Sequence, residues 1–334
     1  MALRGESLRR SDCMTEFNPN EASFLAQLAQ WNIRVGIIGG SGIYKLEGFE
    51  IIGSVNPETP WGFPSSPLTI ARNAQGVHVA FLARHGLTHS ITPSGVPVCA
   101  NIAALKWIGA RAILAFSAVG SLREEIAPRD FVVPSQIIDR TKGVRRATFF
   151  GEGKDAGVVA HAMFGDPFDE ILRPQVEKIV RETLAKEEPN VKVHGDKTAV
   201  CMEGPAFSTR AESLMYRAWG GDLINMSALP EAKLAREAEI SYVLIATATD
   251  YDAWRPAEGS VHVAEVVACL VANVAASQKV TAALVNPINE LVKNDDCEAV
   301  KAIRGSMRFS IMTRPEAIPE SVKPRIRYIL DWYK

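Results

Sequence analysis

Cysteine is scarce in this chain of 334 residues: Cys13, Cys99, Cys201, Cys269 and Cys297 are scattered, odd in number and form no C-x-x-C pair. That excludes a disulfide scaffold and a zinc ribbon and suits a reducing compartment. Charge of one sign is lacking as well, with Lys plus Arg at 37, Asp plus Glu at 38 and a net charge of −1. A nucleic-acid binder or a polybasic membrane binder needs the excess this chain does not have. No run reaches the roughly 18 consecutive apolar residues of a membrane span. Nor does an apolar stretch follow Arg4, Arg9 and Arg10 before Glu16, Asn18 and Glu21, so the start does not read as a signal peptide, and Met14 is a second candidate start. Repeats, low-complexity tracts and Pro/Gly/Ser linkers are also missing. The expectation is one soluble domain of the cytoplasm, with the nucleus as a second compartment, and with neither nucleic acid nor membrane as a partner.

From Arg34 onward, short apolar runs alternate with helical patterns. Strands are predicted at Val35–Ile38, Val77–Leu82, Ala112–Phe116, Phe131–Val133, Ala199–Met202, Leu223–Ile224 and Tyr242–Ala246. Helices are predicted around Ala100–Trp107, Glu170–Leu184, Arg210–Trp219, Glu231–Ala238 and Val263–Leu284. Such alternation implies an α/β sheet covered on both faces. The expected divisions are an N-terminal extension over 1–33, the domain over 34–286 and a C-terminal extension over 287–334. The last turns polar after Pro287 and reads as a tail across the surface, and Lys142–Ala160, rich in glycine and charge, reads as a surface excursion.

Residues able to do chemistry collect where the strands end. Gly36-Ile-Ile-Gly39-Gly40-Ser41-Gly42 lets the backbone approach an anion and adds the Ser41 hydroxyl. It is not a dinucleotide fingerprint, because Lys45 stands where G-x-G-x-x-G needs its last glycine. The next strand ends in Arg84-His85-Gly86, with His89 beyond. Arg84 is suited to bidentate recognition of phosphate or carboxylate, and the imidazoles can add donors. A metal is disfavoured there, because the histidines lack the adjacent Glu of H-E-x-x-H and Gly86 interrupts the helix that pairing would need. Ser117 ends the third strand, at the edge where open α/β sheets bind ligands, and Asn225 to Ser227 point to the same cleft.

Phe207 precedes a T-x-x-E capping box, Thr209 to Glu212, and either packs in the core or offers its ring to a base. Asp250 and Asp252 follow the last strand. Buried together, two carboxyls cannot both ionise cheaply, so one holds a proton near neutral pH; exposed, they are an ordinary acidic turn.

In this order, Gly36–Gly42, Leu82-Ala-Arg-His-Gly86, Gly120-Ser-Leu-Arg-Glu-Glu125, Glu203-Gly-Pro205 with Phe207-Ser208, Ile224-Asn-Met226 and Ala248-Thr-Asp-Tyr-Asp252 resemble the trimeric purine nucleoside phosphorylase family. The similarity runs from about Arg34 to Leu284 and is greatest to the branch that cleaves 5′-methylthioadenosine. The resemblance implies an α/β fold with a mixed, distorted, barrel-like sheet flanked by helices, and a homotrimer. It implies no metal and no cofactor, inorganic phosphate being a co-substrate that displaces adenine and leaves 5-methylthioribose 1-phosphate.

By that resemblance Ser41, Arg84, His85, Ser117, Ala118 and Ser227 bind phosphate with His89 nearby. Met226 holds the ribose, Phe207 and Ser208 lie at the base, and Asp250, the expected acid, faces adenine with Asp252. His161 reaches the site of a neighbouring subunit, and Val263, not His262, forms the apolar wall at the 5′ substituent. The chain departs from the family in carrying Ser rather than Thr at 41, 117 and 227, and Ala206 where Arg is usual. The alternatives are a phosphorylase of 6-oxopurine nucleosides, whose relatives usually carry Asn at the position of Asp250, and a non-catalytic nucleotide-binding protein on the same fold.

Overall fold

The computed structural model describes residues 14–40, 47–151, 153–255 and 263–333. In chain order the elements are β1 (Glu16–Phe17), α1 (Ala22–Trp31), β2 (Val35–Gly39), β3 (Phe49–Val55), β4 (Leu68–Asn73), β5 (His78–Ala83), α2 (Val98–Trp107), β6 (Ala112–Ser121), β7 (Phe131–Val133) and β8 (Gln136–Asp139). There follow α3 (Leu172–Glu187), β9 (Val193–Gly195), β10 (Thr198–Cys201), α4 (Arg210–Ala218), β11 (Leu223–Asn225), α5 (Ala228–Glu237), β12 (Ser241–Asp250), α6 (Val263–Val292), α7 (Glu298–Ile303) and α8 (Lys323–Ile329).

All strands join one mixed sheet, ordered β1-β3-β4-β5-β2-β6-β11-β10-β8, with a branch running from β6 through β12 and β7 to β9. The central strands are apolar throughout because both faces are covered. Ile38, Ile113 and Ala115 pack on one side with residues of α2, α5 and α8. Ile37, Leu114 and Phe116 pack on the other with residues of α3, α6 and α7.

The sheet divides at β6. Its first half lies between β2 and β12, and the pairing with β2 stops at Ile38 opposite Ala115. Pairing on that side resumes only at Gly120, with the antiparallel β11. Between those points Ser117, Ala118 and Val119 keep β12 on one side and open on the other. A cleft therefore follows directly from the strand order, as at the switch points of other α/β sheets.

Strands β1, β3, β4, β8 and β9 are not among the strands expected from the sequence, and three further expectations are corrected. Helix α6 does not stop before Pro287: it continues to Val292, because Ile288 and Val292 are wholly buried and outweigh the hydrogen bond that proline forgoes. Its stretch Val267–Val292 is long and apolar enough to cross a membrane, and within it Ala276, Val280, Leu284 and Val285 are buried in the core that α3 shares. The chain beyond it is no surface tail, since Ile318, Val322, Ile326, Ile329 and Leu330 belong to the same core as Phe24 and Ile33.

The 142–160 segment is likewise anchored. Phe149, Phe150 and Val158 are buried, and Glu237 accepts from the Thr148 hydroxyl and the Phe149 N–H, each at 2.7 Å. If α8 is integral, Ile329→Ala should cost about 2–5 kcal/mol, as for other fully buried isoleucines. Urea unfolding checks this, and an unchanged midpoint would make α8 an appendage.

Candidate active site

The cleft beside β6 is a cavity of about 430 Å³. Arg84, His85, His89, Ser117, Ala118, Ser227, Phe207, Ser208, Met226, Asp250 and Asp252 all line it. Ser41 lies outside the described residues, as do His262 and the side chain of Val263. His161 is exposed and off this cavity, its N–H bonded to the carbonyl of Ser310 at 2.8 Å.

Arg84, at the end of β5, is only 1 % exposed, so its charge needs a partner. Glu231, wholly buried in the first turn of α5, supplies it. Arg84 Nε and Nη2 donate to Glu231 Oε1 and Oε2 at 2.5 and 3.0 Å, and Nη1 donates to the carbonyl of Phe116 at 2.9 Å. Tyr242 of β12 donates to Glu231 Oε2 at 2.9 Å. Burial works against the Arg84 charge, but the Glu231 carboxylate outweighs it and raises the guanidinium above its ordinary range. This corrects the sequence reading: the bidentate fork is committed to Glu231. What Arg84 keeps for a ligand is the remaining N–H of each terminal nitrogen.

The hydroxyls are set by one side chain. Asn225 Oδ1 accepts from the N–H groups of Ser227 and Ala228, at 2.9 and 2.7 Å, which orients its amide to donate to Ser117 Oγ at 2.7 Å. Ser117 and Ser227 hydroxyls are 3.1 Å apart. Ser117 accepts from Asn225, and its own proton points to the carbonyl of Ala118 at 3.3 Å, from which it can turn to Ser227 or to an anion. His85 Nδ1 lies 2.8 Å from the carbonyl of Ile91, which can only accept, so that nitrogen carries the hydrogen. Burial first, then the charge of Arg84, push the imidazole down to about 4. Its ring and that of His89 are 4.6 Å apart, and among the described residues no group of three potential metal ligands forms.

At the other end stand the carboxyls. Thr249 is an extra residue in β12: Ala248 pairs with Val119 and Asp250 with Gly120. A bulge of this kind re-aims side chains, and here it turns both Thr249 and Asp250 to the cavity, which a regular strand would not allow. Asp250 Oδ2 accepts from Thr249 at 2.7 Å and Oδ1 from the N–H of Asp252 at 2.8 Å. Asp252 itself sits in a left-handed turn, φ 50°.

The carboxyls do share the cleft, but through a bulge and a turn rather than a persisting strand. Gly120 makes room for them, because a Cβ there would come within 2.7 Å of Ile224 and 3.2 Å of Asp250 Oδ1. Burial raises the Asp252 carboxyl, and the charge of Asp250 adds to this against the opposing hydroxyls of Ser213 and Ser208. Asp252 Oδ2 is buried with no hydrogen-bond partner. Of the pair, Asp252 is thus the carboxyl on which burial favours a proton.

Sequence reasoning passed over Glu231, Thr249 and Leu270. Glu231 reads as an ordinary first-turn acid, and a bulge leaves no mark in an apolar strand. Phe207 is 79 % exposed at the mouth of the cavity and is not packed in the core.

A sheet that divides over an anion-and-acid cleft is the architecture of nucleoside phosphorylases, and the model of the phosphorylase superfamily matches residues 34–286. Over 301 residues the chain is 62 % identical to S-methyl-5′-thioadenosine phosphorylase of Mycosarcoma maydis, covering 90 % of this chain and 95 % of that one. It is 52 % identical to the protein of that name from Coprinopsis cinerea, over 91 % and 98 % of the two chains. Among solved structures, a methylthioadenosine phosphorylase from an antarctic soil metagenomic library superposes with a TM-score of 0.80 at 39 % identity, over 90 % and 99 %. The Schistosoma mansoni methylthioadenosine phosphorylase in complex with adenine gives 0.75 at 35 %, over 84 % and 99 %. The chain belongs to the phosphorylase superfamily and, within it, to the S-methyl-5′-thioadenosine phosphorylase branch.

Glu231→Gln should destabilise the protein by about 3–5 kcal/mol, because it leaves the Arg84 charge buried without a carboxylate. Chemical denaturation reads this directly, and a loss below about 1 kcal/mol would mean that the pair is not what permits the burial. His85 carries a pH signature. Its folded pKa lies below the unfolded 6.5, so the unfolded chain binds more protons between about 4 and 6.5. Stability should therefore rise with pH across that window, and His85→Gln should remove part of the rise, on the order of 2–3 kcal/mol. Identical pH profiles for the two proteins would contradict a neutral buried imidazole.

Proposed function

We propose that this chain catalyses the reversible phosphorolysis of 5′-methylthioadenosine to adenine and 5-methylthioribose 1-phosphate. The observation that carries the reading is a single cavity wall, β6, with hydroxyl and guanidinium donors at Ser117 and a carboxyl pair at Gly120. Three steps along the strand, from Ser117 to Gly120, separate the two ends, about 10 Å at ~3.3 Å each, which leaves space for a sugar between an anion and a base. The relatives are named for the same substrate.

Breaking the glycosidic bond leaves positive character on the ribose and negative charge on the departing purine. In this reading phosphate lies among the free N–H edge of Arg84, the hydroxyls of Ser117 and Ser227, Ala118, His85 and Ser41, with His89 nearby. There it stabilises the developing cation and then attacks the anomeric carbon. A phosphate dianion beside His85 favours protonation of the imidazole at Nε2, since Nδ1 is held by Ile91. Met226 carries the ribose, and Phe207 and Ser208 border the base. The acid pair holds one proton between two carboxyls and delivers it to N7 of adenine while accepting from the 6-amino group. Both developing charges are met by phosphate and by side chains, so the reading assigns no cofactor and no metal.

The reading includes a homotrimer. The Ala160 segment is bridged to Ile311, and beside them Val159, Met163, Phe309 and Met312 are all at least half exposed, Phe309 by 93 %. An apolar strip of this kind is suited to a second copy of the chain, which would bring His161 to the neighbour's site.

Incubation with methylthioadenosine should release adenine only when phosphate is present. Asp250→Asn should lower kcat/KM for methylthioadenosine by about 10²- to 10⁴-fold, the usual worth of a general acid, and raise inosine relative to it by offering an amide donor to a 6-oxo group. Phosphate-independent release, or wild-type turnover by the variant, would overturn the assignment.

A further inference from the structure

Arg145 stands outside the cavity, yet it holds the cavity's walls together. It arrives from the exposed Lys142–Val144 stretch and is itself half-buried. Its Nε donates to Ser94 Oγ at 3.1 Å, Nη1 donates to the carbonyl of Leu229 at 2.7 Å, and Nη2 donates to the carbonyls of Glu203 and Met202 at 2.7 and 3.3 Å. Ser94 in turn donates to the carbonyl of Glu203 at 3.2 Å. One guanidinium thus joins three segments distant in sequence. The first carries Thr92 and Pro93, the second Met202, Pro205, Phe207 and Ser208, and the third begins α5 just after Ser227; each of these residues lines the cavity.

The planar fork matters here. A guanidinium offers five N–H groups in fixed directions, so it can address diverging carbonyls at once, which an ammonium on a flexible stem cannot. The segment it holds most closely, 202 to 208, has no regular structure of its own and lies between β10 and the cap of α4. Without Arg145, the carbonyls of Met202 and Glu203 would turn to water, and Phe207 and Ser208 would lose their fixed approach. The phosphate end is held separately, by Asn225 on the N–H groups of Ser227 and Ala228 and by Glu231 on Arg84.

We propose that Arg145 is a positioning residue for the nucleoside half of the site. It fixes the base-side loop against the Ser94 and Leu229 segments without touching either substrate, an inference that rests on the phosphorolysis reading above. Misplacing a substrate-holding wall by an ångström costs on the order of 10²-fold even when the chemistry is untouched.

The test is steady-state kinetics of the full-length chain with methylthioadenosine and phosphate varied in turn. Arg145→Ala should raise the KM for methylthioadenosine by about ten- to a hundredfold and leave the phosphate KM within about threefold. Millimolar guanidine should restore part of the loss, and Arg145→Lys should fall between the two, because an ammonium reaches fewer of the carbonyls. Arg145→Lys also carries the test should the alanine variant fail to fold. Adenine binding followed by calorimetry keeps this proposal separate from the functional one: a wild-type chain that binds no adenine overturns the phosphorolysis reading. A wild-type chain that binds adenine, with variants binding it as tightly, overturns the role of Arg145. So does an equal rise in both KM values, which would mark a general structural residue.

Discussion

A guanidinium can be buried only if its charge is answered within hydrogen-bond distance, and in this molecule that requirement falls at the centre of the sheet. Arg84 ends β5, Glu231 begins α5, Tyr242 lies on β12, and the carbonyl that completes the set belongs to Phe116 of β6. Four elements are therefore held in one relative placement by one ion pair and its hydrogen bonds. Moving any of them would strand a charge in a low-dielectric interior, at a cost of several kcal/mol. The floor of the cavity inherits that rigidity, because Ser117 follows Phe116 directly and Ser227 lies on the turn that delivers Glu231.

With the floor fixed, the two ends of the cavity differ in the kind of group they present. Near Arg84 the side chains and backbone offer hydrogens: two hydroxyls, an amide that directs them, and the free edge of the guanidinium. Near Gly120 they offer carboxyl oxygens, one of them without a partner. A ligand negative at one end and able to accept and donate at the other satisfies both. Preorganisation of this sort lowers a barrier without rearrangement during the reaction.

Much of this was legible in the sequence, and the failures have physical causes. The strands buried on both faces, β2, β5, β6 and β12, stand out as unbroken apolar runs. β3 does not, because a bulge between Ile51 and Gly53 and exposed Glu50 and Ile51 break its pattern. The site residues declared themselves by collecting after strands, yet their roles shifted. Arg84 carries the right group, but its fork was already spoken for by an acid that looks, in sequence, like ordinary helix-start chemistry. The acid pair was found for a reason that does not hold, since Asp250 faces the cleft through a bulge and Asp252 through a left-handed turn. Helix α6 outran the proline expected to end it because burial of Ile288 and Val292 is a tertiary fact that no local pattern contains.

The placement of α8 also bears on how the molecule comes into being. Phe24 and Ile33, among the first residues of the fold, share a core with Ile326, Ile329 and Leu330, among the last. A growing polypeptide that has emerged only as far as α6 can pair its strands and lay α2 and α5 on one face and α3 and α6 on the other, but the apolar surface around Phe24 and Ile33 still awaits α8, some three hundred residues downstream of them. At about 5–20 residues per second the interval between the two ends is many seconds, far longer than helix or hairpin formation. Until α8 arrives, that part of the core stays open to water, an exposure built into the order in which the chain is made.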